Sequence, residues 1–151
     1  MLLASERRWA FATPPLELWS LISRVDDYPS WWPWLRAFDG EHLQGGAVWH
    51  CGVKPPLPYV VEFTMTIDDI VPMESVAASL SGDITGTARI NIAESHEGSQ
   101  VRLRAELAPA KRWLGTLSWA ARPIVRFGHN WVLDTAARQF AARAEAPDPL
   151  R

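Results

Sequence analysis

The sequence predicts an α+β fold: a curved antiparallel sheet of about seven strands wrapped around one long C-terminal helix. Three observations predict it. Between Tyr59 and Leu107 apolar residues recur at alternate positions in runs separated by short turn sequences, the pattern of hairpin-joined strands with one covered face. After Pro109 the repeat lengthens to the ~3.6 residues of a helix and holds from Lys111 to Ala144. Ahead of both lies another alternating stretch, followed by two short segments with helical and turn chemistry.

Arg7, Trp9 and Phe11 alternate with Glu6, Arg8 and Ala10, so residues 5–12 read as the first strand. Thr13-Pro14-Pro15 opens a helix: Thr13 is placed to cap it, and Pro14 suits the first position, where a missing N–H costs nothing. Leu18, Leu21 and Ile22 form its apolar stripe, with Trp19 beside it. Asp26-Asp27-Tyr28-Pro29-Ser30 is turn chemistry, and Trp31 to Leu35 reads as a second short helix capped by Ser30. Asp39-Gly40 and Gly45-Gly46 bracket a short strand. Ala47 to Val53 is another, ended by Lys54-Pro55-Pro56-Leu57-Pro58, whose prolines cannot donate to a ladder.

Residues 59–67 form a clear strand, with Val61, Phe63, Met65 and Ile67 on one face and Glu62, Thr64 and Thr66 on the other. Strands over 75–80 and 84–93 follow, then one carrying Val101, Leu103, Ala105 and Leu107 on its covered side. Arg89, Arg102 and Arg104 fall on the wet face. In the C-terminal helix Leu117, Ala121, Val125, Gly128, Val132, Ala136 and Gln139 share one narrow arc, and Pro123 kinks or restarts the helix. Residues 1–145 therefore read as a single domain and 146–151 as a disordered tail.

A net charge of -2 argues against a nucleic-acid partner, which needs a basic face to neutralise phosphates. The lone Cys51 excludes an intramolecular disulfide and suggests a reducing compartment. Charged residues follow directly after Ala4, which leaves no signal-peptide core, and no run reaches the ~18 apolar residues of a membrane span. The expectation is a cytoplasmic protein with no transmembrane segment, a monomer or homodimer. His42, His50, His96 and His129 lie far apart, and no set of His, Cys and carboxylates has metal-ligand spacing, so neither a metal nor another cofactor is expected.

Nine tryptophans are too many to ignore: they build either a large aromatic core or the wall of a cavity. A twisted sheet of this size curves. A helix about 10–12 Å across does not fill its concave side. The remaining volume is either packed with aromatics or left as a pocket for a hydrophobic small molecule.

Three stretches carry a family resemblance: Val25-Asp26-Asp27-Tyr28-Pro29-Ser30-Trp31-Trp32-Pro33-Trp34; the strand pair from Gly82-Asp83 to Leu107, joined by Glu97-Gly98-Ser99; and Gly128-His129-Asn130-Trp131 with the apolar helix after it. With the order of elements, these resemble the helix-grip fold of the START, polyketide cyclase and pollen-allergen superfamily (SRPBCC). The last stretch is similar to the final helix of bacterial polyketide cyclase/dehydrase-like members. The resemblance implies the fold over nearly the whole chain. Members include lipid carriers, ring-closing enzymes, coenzyme Q binders and plant hormone receptors, so it implies no single activity.

His129, at the edge of the helical arc, is the candidate catalytic residue, either a general base in the pocket or a half-exposed helix histidine. Arg122 and Arg126, one turn apart, either grip a carboxylate or phosphate or sit on a solvated flank. Trp34, Trp49, Phe63, Met65, Val125, His129 and Val132 are the expected lining. Asp26-Asp27 and Asp68-Asp69 are neighbours on turns, not facing acids, and Cys51 has no activating base beside it. Three functions fit: binding or transport of a lipid, isoprenoid or polyketide; a cyclase/dehydratase-type enzyme using His129 with Arg122 or Arg126 in the same cavity; or a protein-interaction module with a filled core.

Overall fold

The computed structural model describes residues 2–110 and 122–145, with Arg122 described by its backbone alone. The alternating segments become seven strands: β1 (Leu3–Phe11), β2 (Leu35–Asp39), β3 (Val48–Val53), β4 (Val61–Val71), β5 (Ser75–Gly82), β6 (Ile84–Ser95) and β7 (Gly98–Pro109). They form one antiparallel sheet in the order β1-β7-β6-β5-β4-β3-β2. Strands β2 to β7 run as a meander because short turns join them, and β1 returns to pair with β7 at the far edge. Between β1 and β2 lie α1 (Pro15–Ile22), a 3-10 turn (Val25–Asp27) and α2 (Tyr28–Trp31). The C-terminal helix α3 spans Arg122–Ala144.

Register fixes which residues face the helix. Val101, Leu103, Ala105 and Leu107 of β7 are buried, and Arg7, Ile90 and Val76 stand in line with Leu103 on that inner face. Glu6, Arg102 and Arg104 point outward, where the Glu6 carboxylate bridges Arg102 and Arg8. Bulges near Leu35/Ala37 and Ile67/Asp69 add local bend to β2 and β4. Gly86 stands where β6 approaches β7 most closely: its φ is +147°, and a Cβ there would lie 1.9 Å from the Glu106 carbonyl oxygen.

Three local expectations are corrected, two of them by proline. Thr13 does not cap α1. Pro14 precedes Pro15, which holds it extended (ψ 156°), so Pro14 takes the cap position and the helix starts at Pro15. The Thr13 hydroxyl instead donates to the Ala144 carbonyl, 2.9 Å away, pinning the end of α3. The second helix spans Tyr28–Trp31, not Trp31 to Leu35, because Pro33 keeps Trp32 extended (φ -123°, ψ 91°). Ser30 donates to the Asp27 carbonyl and caps nothing. Lastly, no strand lies between Gly40 and Gly45. The chain turns there, held by the Trp49 indole N–H on the His42 carbonyl, and β2 lies earlier, at Leu35–Asp39. The helix expected over 111–121, with Leu117 and Ala121 of the arc, and the expected tail lie outside the described residues.

Helix α3 is tied to the sheet on one flank and to the segment between α2 and β2 on the other. On the β1 side Arg7 donates to Asn130 (3.0 Å) and pairs with Asp134 (3.3 Å). On the other side the Trp32 indole donates to the Ala136 carbonyl and Trp34 to Gln139 Oε1. Gly128 lies against Tyr59, Leu57 and Pro55 of the proline-rich loop.

The core divides into two clusters. The larger gathers Phe11, Leu18, Val25, Tyr28, Trp31, Trp49, Ile67, Val101 and Phe140 beneath α1 and α2. The smaller holds Leu3, Leu80, Ala105 and Leu107, with Val125 of α3 against it. Cys51 belongs to the larger one, and burial pushes its thiol up to about 12. Ellman's reagent at pH 8 should therefore leave folded Cys51 untouched and titrate one thiol after denaturation. Rapid labelling of the native chain would contradict that burial.

Candidate functional site

The inner face of the sheet has a low stripe between its two core clusters. Strand register sets Ser5, Ala105, Ala88 and Ala78 side by side across β1, β7, β6 and β5. With strands ~4.8 Å apart, this row of small side chains runs roughly 14 Å across the sheet. On one side stand Leu107, Leu80 and Met65, and on the other Leu103, Ile90 and Val76. Ala78 belongs to the larger cluster, while Ala105 and Ala88 belong with the smaller. Phe63, Met65, Ala88 and Ile90 all point inward yet remain half-buried, so the inner face keeps accessible apolar surface in the middle of the sheet.

A polar pair ends the row. Ser5 Oγ lies 2.6 Å from His129 Nε2, and both residues are half-buried. Since Ser5 is on the inner face of β1, the imidazole is turned toward the sheet. A neutral imidazole has one donor and one acceptor nitrogen, and Nδ1 of His129 has no hydrogen-bond partner among the described residues.

Burial, and then the guanidiniums of Arg7 and Arg126, hold the His129 imidazole below the ordinary histidine value. The folded chain thus takes up this proton less readily than the unfolded one. Above about pH 6.5 both states are neutral here and the stability contribution is flat. As pH falls below that value the unfolded chain protonates first, and stability declines until the native imidazole also protonates. Thermal midpoints measured from pH 7.5 down to 5 should fall more steeply for the wild type than for His129→Gln; parallel curves would remove His129 from the account.

The structure scatters the residues singled out in the sequence. Phe63, Met65 and Val125 meet around the smaller cluster, and His129 and Val132 are half-buried on the same helix. Arg126 is exposed, one turn from His129, with no partner among the described residues; the side chain of Arg122 lies outside them. Trp34 is buried, hydrogen-bonded to Gln139 and in ring contact with Trp32 and Trp131. Trp49 is buried against Tyr28 and Phe38.

Sequence reasoning missed Ser5, Arg7 and the alanine row. Ser5 has the parity of Arg7 and Trp9, a signal that was there to read; the row appears only once register is known.

Hollows of about 660 Å³ and about 480 Å³ lie on the opposite, outer face. The larger is lined by the outward Glu6, Thr87, Arg89, Arg104 and Glu106 and is also bordered by Ser5, Ala78, Ala88 and Ala105; the smaller is lined by His50, Glu62 and Thr64 with Phe38, Cys51 and Phe63. Charged side chains rim the larger hollow on its water-facing side. Among the described residues no three His, Cys, Asp or Glu side chains are placed to hold a metal, and no helix is long and apolar enough to cross a membrane.

No family model and no curated protein matches the chain. Solved structures do. The Zhui aromatase/cyclase from Streptomyces sp. R1128 is similar with a TM-score of 0.79 at 14% identity, covering 96% of this chain and 94% of that one. The di-domain ARO/CYC BexL of the BE-7585A biosynthetic pathway is similar at 0.77 and 13% identity, over 97% of this chain and 51% of that one. Ara h 8.0201 is similar at 0.69 and 11% identity, over 97% and 100%. Identities this low carry the fold and no more. The helix-grip architecture is shared with these structures.

Proposed function

We propose that the chain binds a hydrophobic small molecule, such as a lipid, isoprenoid or polyketide, between the inner face of the sheet and α3. The observation that carries this reading is the row Ser5, Ala105, Ala88 and Ala78 with the half-buried Met65, Ile90 and Val76 on its flanks; Leu80, Leu103 and Leu107 there are already buried. Ala105 and Ala78 are already buried, and a ligand laid beside Ser5 and Ala88 would remove the remaining surface of Met65, Ile90 and Val76 from water. At about 25 cal/mol per Å², some 200 Å² of buried apolar surface supplies roughly 5 kcal/mol before the cost of ordering the ligand. His129, with Ser5 beside it, is the polar group best placed to orient the molecule, and Phe63, Met65, Val125 and Val132 are its proposed apolar walls.

Native mass spectrometry of freshly purified protein tests the reading. An organic-extractable adduct, or uptake of an added fluorescent amphiphile by the stripped protein, is the expected result. A chain that carries nothing and takes up nothing would instead be an interaction module with a filled core.

A second reading is favoured by the half-buried Ser5–His129 pair. An imidazole kept neutral near pH 7 can accept a proton from a carbon acid, and a shaped pocket that holds a flexible chain near its reactive geometry supplies the rest. Ring closure of a linear polyketide that disappears in His129→Ala while ligand binding persists would establish it. Equal turnover by the variant would leave a binding protein.

A further inference from the structure

We propose that the ligand is a carboxylic-acid amphiphile, with its chain along the alanine row and its carboxylate held at the β1 edge by Arg126 and the one donor that the Ser5–His129 pair leaves free. This rests on the pocket reading above and narrows it to a chemical class.

Three features of that edge point to an acid. Positive charge there is uncompensated. Arg7 is engaged by Asp134 and Asn130, but Arg126, one turn from His129, has no partner among the described residues. A planar guanidinium matches a carboxylate through two parallel N–H···O bonds, a geometry a neutral ester or alcohol cannot use.

The polar atoms beside Arg126 also suit an acid. Ser5 and a neutral His129 share one proton across their 2.6 Å contact, so the pair offers a carboxylate one donor, either the Ser5 hydroxyl or His129 Nδ1–H according to the tautomer, and adds no negative charge of its own. The field of Arg7 and Arg126 that discourages a further proton on His129 favours an anion in the same place. Ser5 and His129 are half-buried while Arg126 is exposed beside them, so the carboxylate would sit at the rim of the site. Opposite this edge the row is lined by methyls and larger apolar side chains, which leaves the other end of the ligand nothing polar to meet.

The test compares cis-parinaric acid with its methyl ester by fluorescence titration of the full chain, stripped of co-purified lipid, at pH 7.5. The acid should bind about tenfold more tightly than the ester, the factor that one charge-assisted contact gives. Arg126→Gln, at an exposed helix position, should bring the acid down to the ester's affinity, and Arg126→Glu should make the ester the tighter ligand. Equal binding of acid and ester by the wild type overturns the inference and leaves the pocket standing. Binding of neither removes the pocket, and the inference with it. An acid preference that survives both substitutions moves the carboxylate away from this edge and overturns the assignment.

Discussion

Tryptophan in place of Ala88 should reduce ligand affinity by about a hundredfold or more while the sheet keeps its register. Ala88 lies in the small-residue row, between Ala105 on β7 and Ala78 on β5, and points toward α3. A Trp side chain brings on the order of 200 Å² of its own surface to that position and occupies the space assigned to the ligand. Overpacking costs typically 1–3 kcal/mol, which a domain of this size survives, so lost binding need not mean lost folding. Thr87→Trp is the matched control. Thr87 is the preceding residue on the same strand, so its side chain faces outward; both residues border the larger hollow, and only the direction of the side chain separates them. Thr87→Trp carries the same bulk and the same strand propensity. If Ala88→Trp binds normally and Thr87→Trp does not, the ligand lies on the outer face and the proposed site is wrong. Loss in both would implicate the sheet's geometry and not the row.

What could be read from the sequence divides along physical lines. Alternation reports which face a strand residue takes, so the inward set Val61, Phe63, Met65 and Ile67 and the outward Arg89, Arg102 and Arg104 were legible before any coordinates. Alternation says nothing about which strand lies beside which residue. Ala78, Ala88 and Ala105 are unremarkable until the β5–β6–β7 register lines them up. The Ser5–His129 contact spans 124 positions and depends on β1 closing against β7.

Proline was misread because its effect on the residue before it was given too little weight. Trp32 before Pro33 and Pro14 before Pro15 are both extended, which moved two helix boundaries. The tryptophans were ambiguous for a different reason. A Trp in a wall and a Trp in a core have the same alternation, and only indole partners separate them. Trp34 gives its N–H to Gln139 and Trp49 to the His42 carbonyl, bonds that fix both rings among their neighbours.

Trp49 packs against Tyr28, where Tyr28→Ala should cost about 3–5 kcal/mol, close to what removing a buried aromatic costs elsewhere. Tyr28 is in ring contact with Trp31, Trp32, Phe38 and Trp49, and its hydroxyl donates to the Ile22 carbonyl at the end of α1. One side chain thus ties α1, α2, β2 and β3 together. Burial drives its phenol pKa well above the ordinary value, so it stays protonated and keeps that bond at any pH the fold survives. Tyr28→Phe separates the two contributions: it keeps the ring and should cost only about 1–2 kcal/mol, the penalty for stranding the Ile22 carbonyl. Urea unfolding of both variants measures the difference. Tyr28 packs in the larger cluster, which Ala88 does not join, so a folded Tyr28→Ala molecule should still take up ligand. A Tyr28→Ala chain that remains folded but fails to bind as completely as Ala88→Trp would place the ligand among the aromatics, and the row of alanines would lose its assigned role.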